Sequence, residues 1–177
     1  MSVHSHVATS AERKAKRDEL VAIKDDFVEG LPKVELHVHI EGTLTPDLRW
    51  KLAQRNGIDL RVERTGQVFN TLAQLESSYG SIFADGSEGN ASAFTNKYFN
   101  FFDAYYGGFD VLRTRQDYYE LAMNYCERAA AMNVKYCEIF FDPQGHTRRG
   151  VQWETFMEGF RDAQAAAEAN FNVCKFP

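Results

Sequence analysis

The sequence predicts an α/β fold built on parallel strands, on three observations. Lys33–Glu41 (KVELHVHIE) alternates apolar and polar residues without a break, which is the period of a strand. Val134–Asp142 (VKYCEIFFD) is a second strand-like run, apolar-rich with little alternation, as expected where both faces are covered. Stretches of helical spacing stand between and after them. The order strand, helix, helical insertion, helix, strand, helix suits parallel strands joined by right-handed crossovers.

Each element has its own signals. Residues 1–30 form a charged N-terminal leader in which ERKAKRDELVAIKDDF reads as helix, with Gly30 near its end; residues 31–177 form the folded part. His4 and His6 copy an HxH spacing, but lie in a polar tail with no strand around them. In the first strand, alternation puts Val34, Leu36, Val38 and Ile40 on one face and Lys33, Glu35, His37, His39 and Glu41 on the other. Thr45 is placed as a helix N-cap, Pro46 as the first helical residue and Asp47 at the positive dipole end, with Asn56-Gly57 as the stop. From Ile58 to Ala91 the pattern weakens, and DGSEGNAS reads as a loop. Phe94, Tyr98, Phe101, Phe102 and Tyr105 share one helix face, ended by Gly107-Gly108. Thr114 and Asp117 resemble a capping box that opens a helix carrying Leu121, Ala122, Tyr125 and Ala129 and closing near Asn133. After the second strand, PQGHTRRG is a turn and His146 a loop residue. Trp153, Phe156, Met157 and Phe160 then line a last helix, and FNV, from Phe171, opens another strand.

Composition narrows the function classes. A chain of 177 residues suits one domain with a sizeable core. A net charge of −5 without a basic stripe argues against a nucleic-acid partner. No apolar run is long enough to span a bilayer, and the polar N-terminus lacks the apolar core of a secretory signal. Cys126, Cys137 and Cys174 are odd in number and widely spaced, which suits buried thiols in a reducing compartment and a cytoplasmic or nuclear protein. The oligomeric state is not legible.

His37 and His39 carry the chemistry. Two apart on a strand, they project from one face about 7 Å apart at the backbone, close enough for two nitrogens to meet one zinc ion at about 2.0–2.1 Å. They lie near the C-terminal end of their strand, where parallel α/β folds place their sites. A hydrolytic zinc needs at least one more ligand and an open position. The plain alternative is a surface strand with a polar face. Against it, a parallel strand between crossover helices is covered on both sides, and burying Lys33, Glu35, both histidines and Glu41 to no purpose is costly. Asp142 and Gln144, at the end of the second strand, are further candidates.

At this point the residues become familiar. LPKVELHVHIEGTLTPDL resembles the opening signature of the adenosine/adenine deaminase family. YCEIFFDPQGHTRRG resembles the second barrel strand and turn of its adenine deaminase branch, and DVLRTRQDYYELAMNYCERAAAMNV is similar to the helix before it. The resemblance covers Leu31 to Val173 and implies a TIM-type (β/α)8 barrel carrying one Zn2+, with His37 and His39 as two of its ligands. Glu41 stands where adenosine deaminases more often carry an Asp that contacts the ribose, so the resemblance makes it a substrate-binding candidate of the adenine branch. It also makes the aromatic face at Phe94–Tyr105 part of a lid; a packed helix face is the plain reading.

The implied reaction is hydrolytic deamination of a small purine. A zinc-activated water adds to C6, a carboxylic acid protonates the ring nitrogen, and ammonia leaves, turning adenine into hypoxanthine. The HxE…PCxxC signature of the other zinc deaminases does not occur. The family continues through six further strand–helix units with a third zinc histidine, a metal-binding Asp, a general-acid Glu and a second catalytic His. None of these is matched, and the pattern departs at CKFP. The expectation is therefore an incomplete barrel of about two β/α units plus a helical insertion, truncated near its third strand, without catalytic residues and inactive alone. Rival readings are an adenosine or N6-modified purine deaminase, and a non-catalytic module that docks through exposed edges.

Overall fold

The computed structural model describes residues 10–23, 25–83 and 99–171. His4, His6, the DGSEGNAS loop, Phe94, Tyr98 and Cys174 lie outside the described residues. So does the expected third strand apart from Phe171, which closes the last helix.

The leader holds two helices, α1 (Ser10–Ala22) and α2 (Asp26–Gly30), where one was expected. Asp25 explains the break: its carboxylate accepts the Phe27 and Val28 amides and starts a second helix. Strand β1 spans Lys33–His39 and runs directly into a 3-10 turn, Ile40–Thr43, so it is two residues shorter than the alternation suggested. Helix α3 (Pro46–Asn56) follows. Thr45 occupies its N-cap position, but the hydroxyl makes no capping bond; Gly57, at φ 63°, ends the helix in the left-handed region that glycine favours.

In the stretch where the pattern weakens, Arg61 and Val68 form a β-bridge and Leu72–Phe83 forms α4. The signal for α4 was present: Thr71 caps the Gln74 amide, and Leu72, Leu75, Tyr79 and Ile82 recur at helical spacing. Helix α5 (Phe101–Gly108) begins later than the aromatic spacing implied, because Asn100 and Asp103 form a reciprocal capping box there. Phe99 thereby lies outside the helix and packs into the core.

A second capping box, Thr114 with Asp117, opens α6 (Arg115–Ala131) as expected. Asn133, at φ 59°, turns the chain into β2 (Val134–Phe140). The turn beyond it coils into a short helix, α7 (Pro143–Thr147), and α8 (Trp153–Phe171) completes the described chain. Cys126 and Cys137 are buried, as expected. No described helix is long and apolar enough to cross a membrane.

β1 and β2 are adjacent and parallel. Their register corrects the strict alternation. Glu35 pairs with Cys137, Val38 with Ile139 and His39 with Phe140, so three steps along β1 match two along β2. One extra residue in β1 changes the phase of every side chain after it. Glu35 therefore faces the helices with Val38, and its carboxylate accepts the Tyr125 hydroxyl of α6 at 2.5 Å. His37 and His39 lie on the opposite face against Phe140. Val34 and Leu36, expected in the covered face, are 62% and 57% exposed.

Among the described elements, helices α6 and α8 pack extensively on each other, and Gly159 of α8 lies close against the first turn of α6. A β-carbon there would fall 2.5 Å from the Arg115 carbonyl and 2.7 Å from Tyr118 Cβ. Gly159→Ala is expected to destabilise the fold by about 1–3 kcal/mol through overpacking, despite alanine's preference of about 1 kcal/mol for helix. Urea denaturation checks this; an unchanged midpoint refutes the close packing.

Candidate metal and purine site

The histidines stand at the carboxyl end of β1, and both face an open cleft. His37 Nε2 and His39 Nε2 are 3.3 Å apart. Phe140, at the end of β2, lies across both rings, with centroids 4.6 and 5.8 Å away. Helix α5 forms the other wall: Phe101, Phe102, Tyr105 and Tyr106 face His37 and His39 across the cleft. The Phe101 and Tyr105 rings stack at 13°. The cleft is thus walled by aromatic rings on one side and by the two imidazoles on the other.

The histidine pair fits a metal ion. Two nitrogens bound at about 2.0–2.1 Å and separated by a tetrahedral angle stand about 3.3–3.4 Å apart, and the observed separation is 3.3 Å. Among the described residues no group of three or more His, Cys, Asp or Glu that could hold a metal ion is present.

Behind the pair lies a hydrogen-bond chain that sequence reasoning largely missed. Tyr105 donates to Asp142 Oδ2 at 2.7 Å, and its hydroxyl is 3.4 Å from His39 Nδ1; Asp142 Oδ1 lies 3.6 Å from the same nitrogen. Burial, then the bond to Asp142, raises the Tyr105 pKa, so the phenol keeps its proton.

Glu41 is 2% exposed, in the 3-10 turn and not on the strand face shared by the histidines. Its Oε1 accepts the Asp142 backbone N–H and faces His146 Nε2, both at 2.8 Å; Oε2 has no partner among the described residues. His146, expected in a loop, is fully buried in α7, with Nδ1 2.9 Å from the Tyr118 hydroxyl. Gln144 sits in α7 beside it, outside this chain of bonds. The cue for His146 was Pro143 directly after the strand, a residue that favours a helix's first turn. A separate groove is lined by Ile139, Phe141, Met157 and Phe160 with Arg161 and Gln164, and among the described residues it has no carboxylate or imidazole.

The fold, two parallel strands with helices between and after them, is similar to that of two solved structures. The structure of adenine deaminase from Arthrobacter aurescens matches 82% of this chain and 38% of its own, with TM-score 0.65 and 39% identity. An amidohydrolase from Burkholderia ambifaria solved with bound zinc shares the fold, with TM-score 0.58 and 23% identity over 99% of this chain and 39% of its own.

The chain belongs to the adenosine deaminase family, whose model matches residues 32–176. It is 44% identical to the adenine deaminase of Rhodospirillum rubrum over 153 residues, 86% of this chain and 40% of that protein. The chain spans 34–40% of the length of the first curated relatives it matches.

Proposed function

We propose that this chain serves the hydrolytic deamination of adenine to hypoxanthine, contributing the His37–His39 part of a zinc centre and one wall of the purine pocket. The observation that carries the proposal is the 3.3 Å separation of the two Nε2 atoms at the carboxyl end of β1. Identity of 41–44% to several adenine deaminases supports adenine over adenosine as substrate.

A bound zinc ion would supply a water activated near neutral pH and poised to add to C6. The chain's own residues do the rest of this region's work. His37 and His39 present neutral nitrogen donors from one strand edge. Phe101 and Tyr105 offer ring faces to the purine, and Phe140 covers the imidazoles and limits water around them. The general acid and the remaining ligands come from outside the described residues, so the chain by itself binds zinc weakly and turns over no adenine.

The test is a zinc titration of the metal-free chain against a chromogenic chelator, with adenine and adenosine binding followed by NMR. One equivalent of zinc is expected. His37→Ala and His39→Ala should each weaken it at least about tenfold, since loss even of an outer partner costs that much. Adenine should bind in preference to adenosine. Zinc affinity indifferent to both variants overturns the metal centre, a preference for adenosine overturns the substrate, and a stable fold that takes up neither zinc nor purine favours a docking module instead.

A further inference from the structure

We propose that Tyr105 and Asp142 are positioning residues that fix the proton of His39 on Nδ1, and that the buried Glu41–His146 pair in turn fixes Asp142. The inference rests on the zinc reading of the histidine pair.

The argument is an inventory of protons. A tyrosine hydroxyl has one proton to give. Tyr105 gives it to Asp142 Oδ2 at 2.7 Å. The hydroxyl oxygen left facing His39 Nδ1 at 3.4 Å is then an acceptor, and Asp142 Oδ1 is a second acceptor atom 3.6 Å away on the same side. Both favour a hydrogen on Nδ1. A neutral imidazole protonated on Nδ1 has its lone pair on Nε2, the atom directed at His37. A histidine that binds a metal through one nitrogen commonly donates from the other, which sets the tautomer and the ring angle.

The position of Asp142 is itself imposed. Its backbone N–H donates to Glu41 Oε1, and the same oxygen meets His146 Nε2. A carboxylate only accepts, so His146 Nε2 carries a hydrogen, while Nδ1 faces the Tyr118 hydroxyl of α6. The Tyr118 hydroxyl lies between His146 Nδ1 at 2.9 Å and the Leu112 carbonyl at 3.2 Å, and its single proton serves one of them at a time. The end of β2 is thus tied to α6, α7 and the turn after β1, all beneath the cleft. With only 2% of its surface exposed, Glu41 acts through Asp142, which its Oε1 holds.

The experiment reads the His39 tautomer in the metal-free chain by long-range 1H–15N NMR, then zinc affinity by chelator competition. The wild-type chain should show Nδ1–H at His39. Tyr105→Phe, which keeps the ring and its packing, should lose that preference and bind zinc about 10–100-fold more weakly, as should Asp142→Ala. Glu41→Gln keeps an acceptor for the Asp142 amide and for His146, so it should retain the tautomer and stay within about threefold of wild-type affinity, whereas Glu41→Ala should not.

An unchanged His39 tautomer and unchanged affinity in Tyr105→Phe overturn the proposal, and that variant decides it alone. Equal losses in Glu41→Gln and Glu41→Ala overturn the positioning role of Glu41 and assign its charge a direct contact. If the wild-type chain takes up no zinc, the metal reading fails, while the tautomer still judges the hydrogen-bond chain.

Discussion

Asp117→Ala is expected to destabilise the chain by about 2–4 kcal/mol, the cost of removing a buried carboxylate that accepts several charge-assisted hydrogen bonds. Asp117 is 0% exposed and is the most heavily bonded carboxylate described. It accepts the Arg113 and Thr114 amides at 2.9 and 2.7 Å, the Thr114 hydroxyl at 3.0 Å and the Asn56 side-chain amide at 2.9 Å, and it pairs with Arg55. These donors come from α3, from the N-terminus of α6 and from the connection between them. Truncation removes the shared acceptor of all of them, at a carboxylate that is itself closed to water.

Burial pushes the Asp117 carboxyl up, but the bonds from Arg113, Arg55, Thr114 and Asn56 more than offset it and hold its pKa below the usual range. Glu120 behaves alike: burial raises it, and Lys51, Arg55 and Gln116 bring it down to about 2. Groups depressed in the folded state stabilise it fully above their unfolded values near pH 4, and that contribution disappears as pH falls through the folded values. Urea midpoints should therefore drop between about pH 4 and pH 2, and Asp117→Asn should flatten part of the slope. A wild-type midpoint constant over that window, or a cost below about 1 kcal/mol for Asp117→Ala, would show that the network contributes little.

Phe156→Ala should cost a similar amount, about 3–5 kcal/mol, from lost transfer energy and the cavity left behind. The Phe156 ring is fully buried in α8, with Tyr118, Phe141, His146 and Trp153 around it at centroid distances of 5.9, 5.9, 5.4 and 5.0 Å. It is the floor on which His146 rests, so the vacated volume should also loosen the hold on Glu41 and Asp142. Phe156→Leu, which retains most of the volume, should cost under about 1.5 kcal/mol. Chemical denaturation gives both values, and amide exchange at Asp142 should accelerate in the alanine variant only. Equal exchange in the two variants would separate the core from the site.

Much of this arrangement was legible in the residues. Helices whose signals are local announced themselves: Pro46 and Gly57 bracket α3, and the Thr114–Asp117 box opens α6 in the position expected. Both strands and the juxtaposed histidines were readable from spacing. What stayed hidden depends on partners distant in the chain. His146 gave no sign of its burial because Glu41 and Tyr118, the residues that satisfy it, stand 105 and 28 positions away. Tyr105 read as one more aromatic on a packed face, since only its hydroxyl, and only when β2 ends beside it, sets it apart from Phe101. Glu35 was misassigned because period two holds within a strand only while the ladder stays in register.

The added residue in β1 has an electrostatic consequence. By diverting Glu35 to the helices, it leaves the cleft side of this strand with two imidazoles and no carboxylate drawn from β1 itself. The acidic side chain beside the pair is instead Asp142, contributed from the end of the neighbouring strand. A single-residue offset in the backbone thus decides which strand supplies the negative charge next to the histidines.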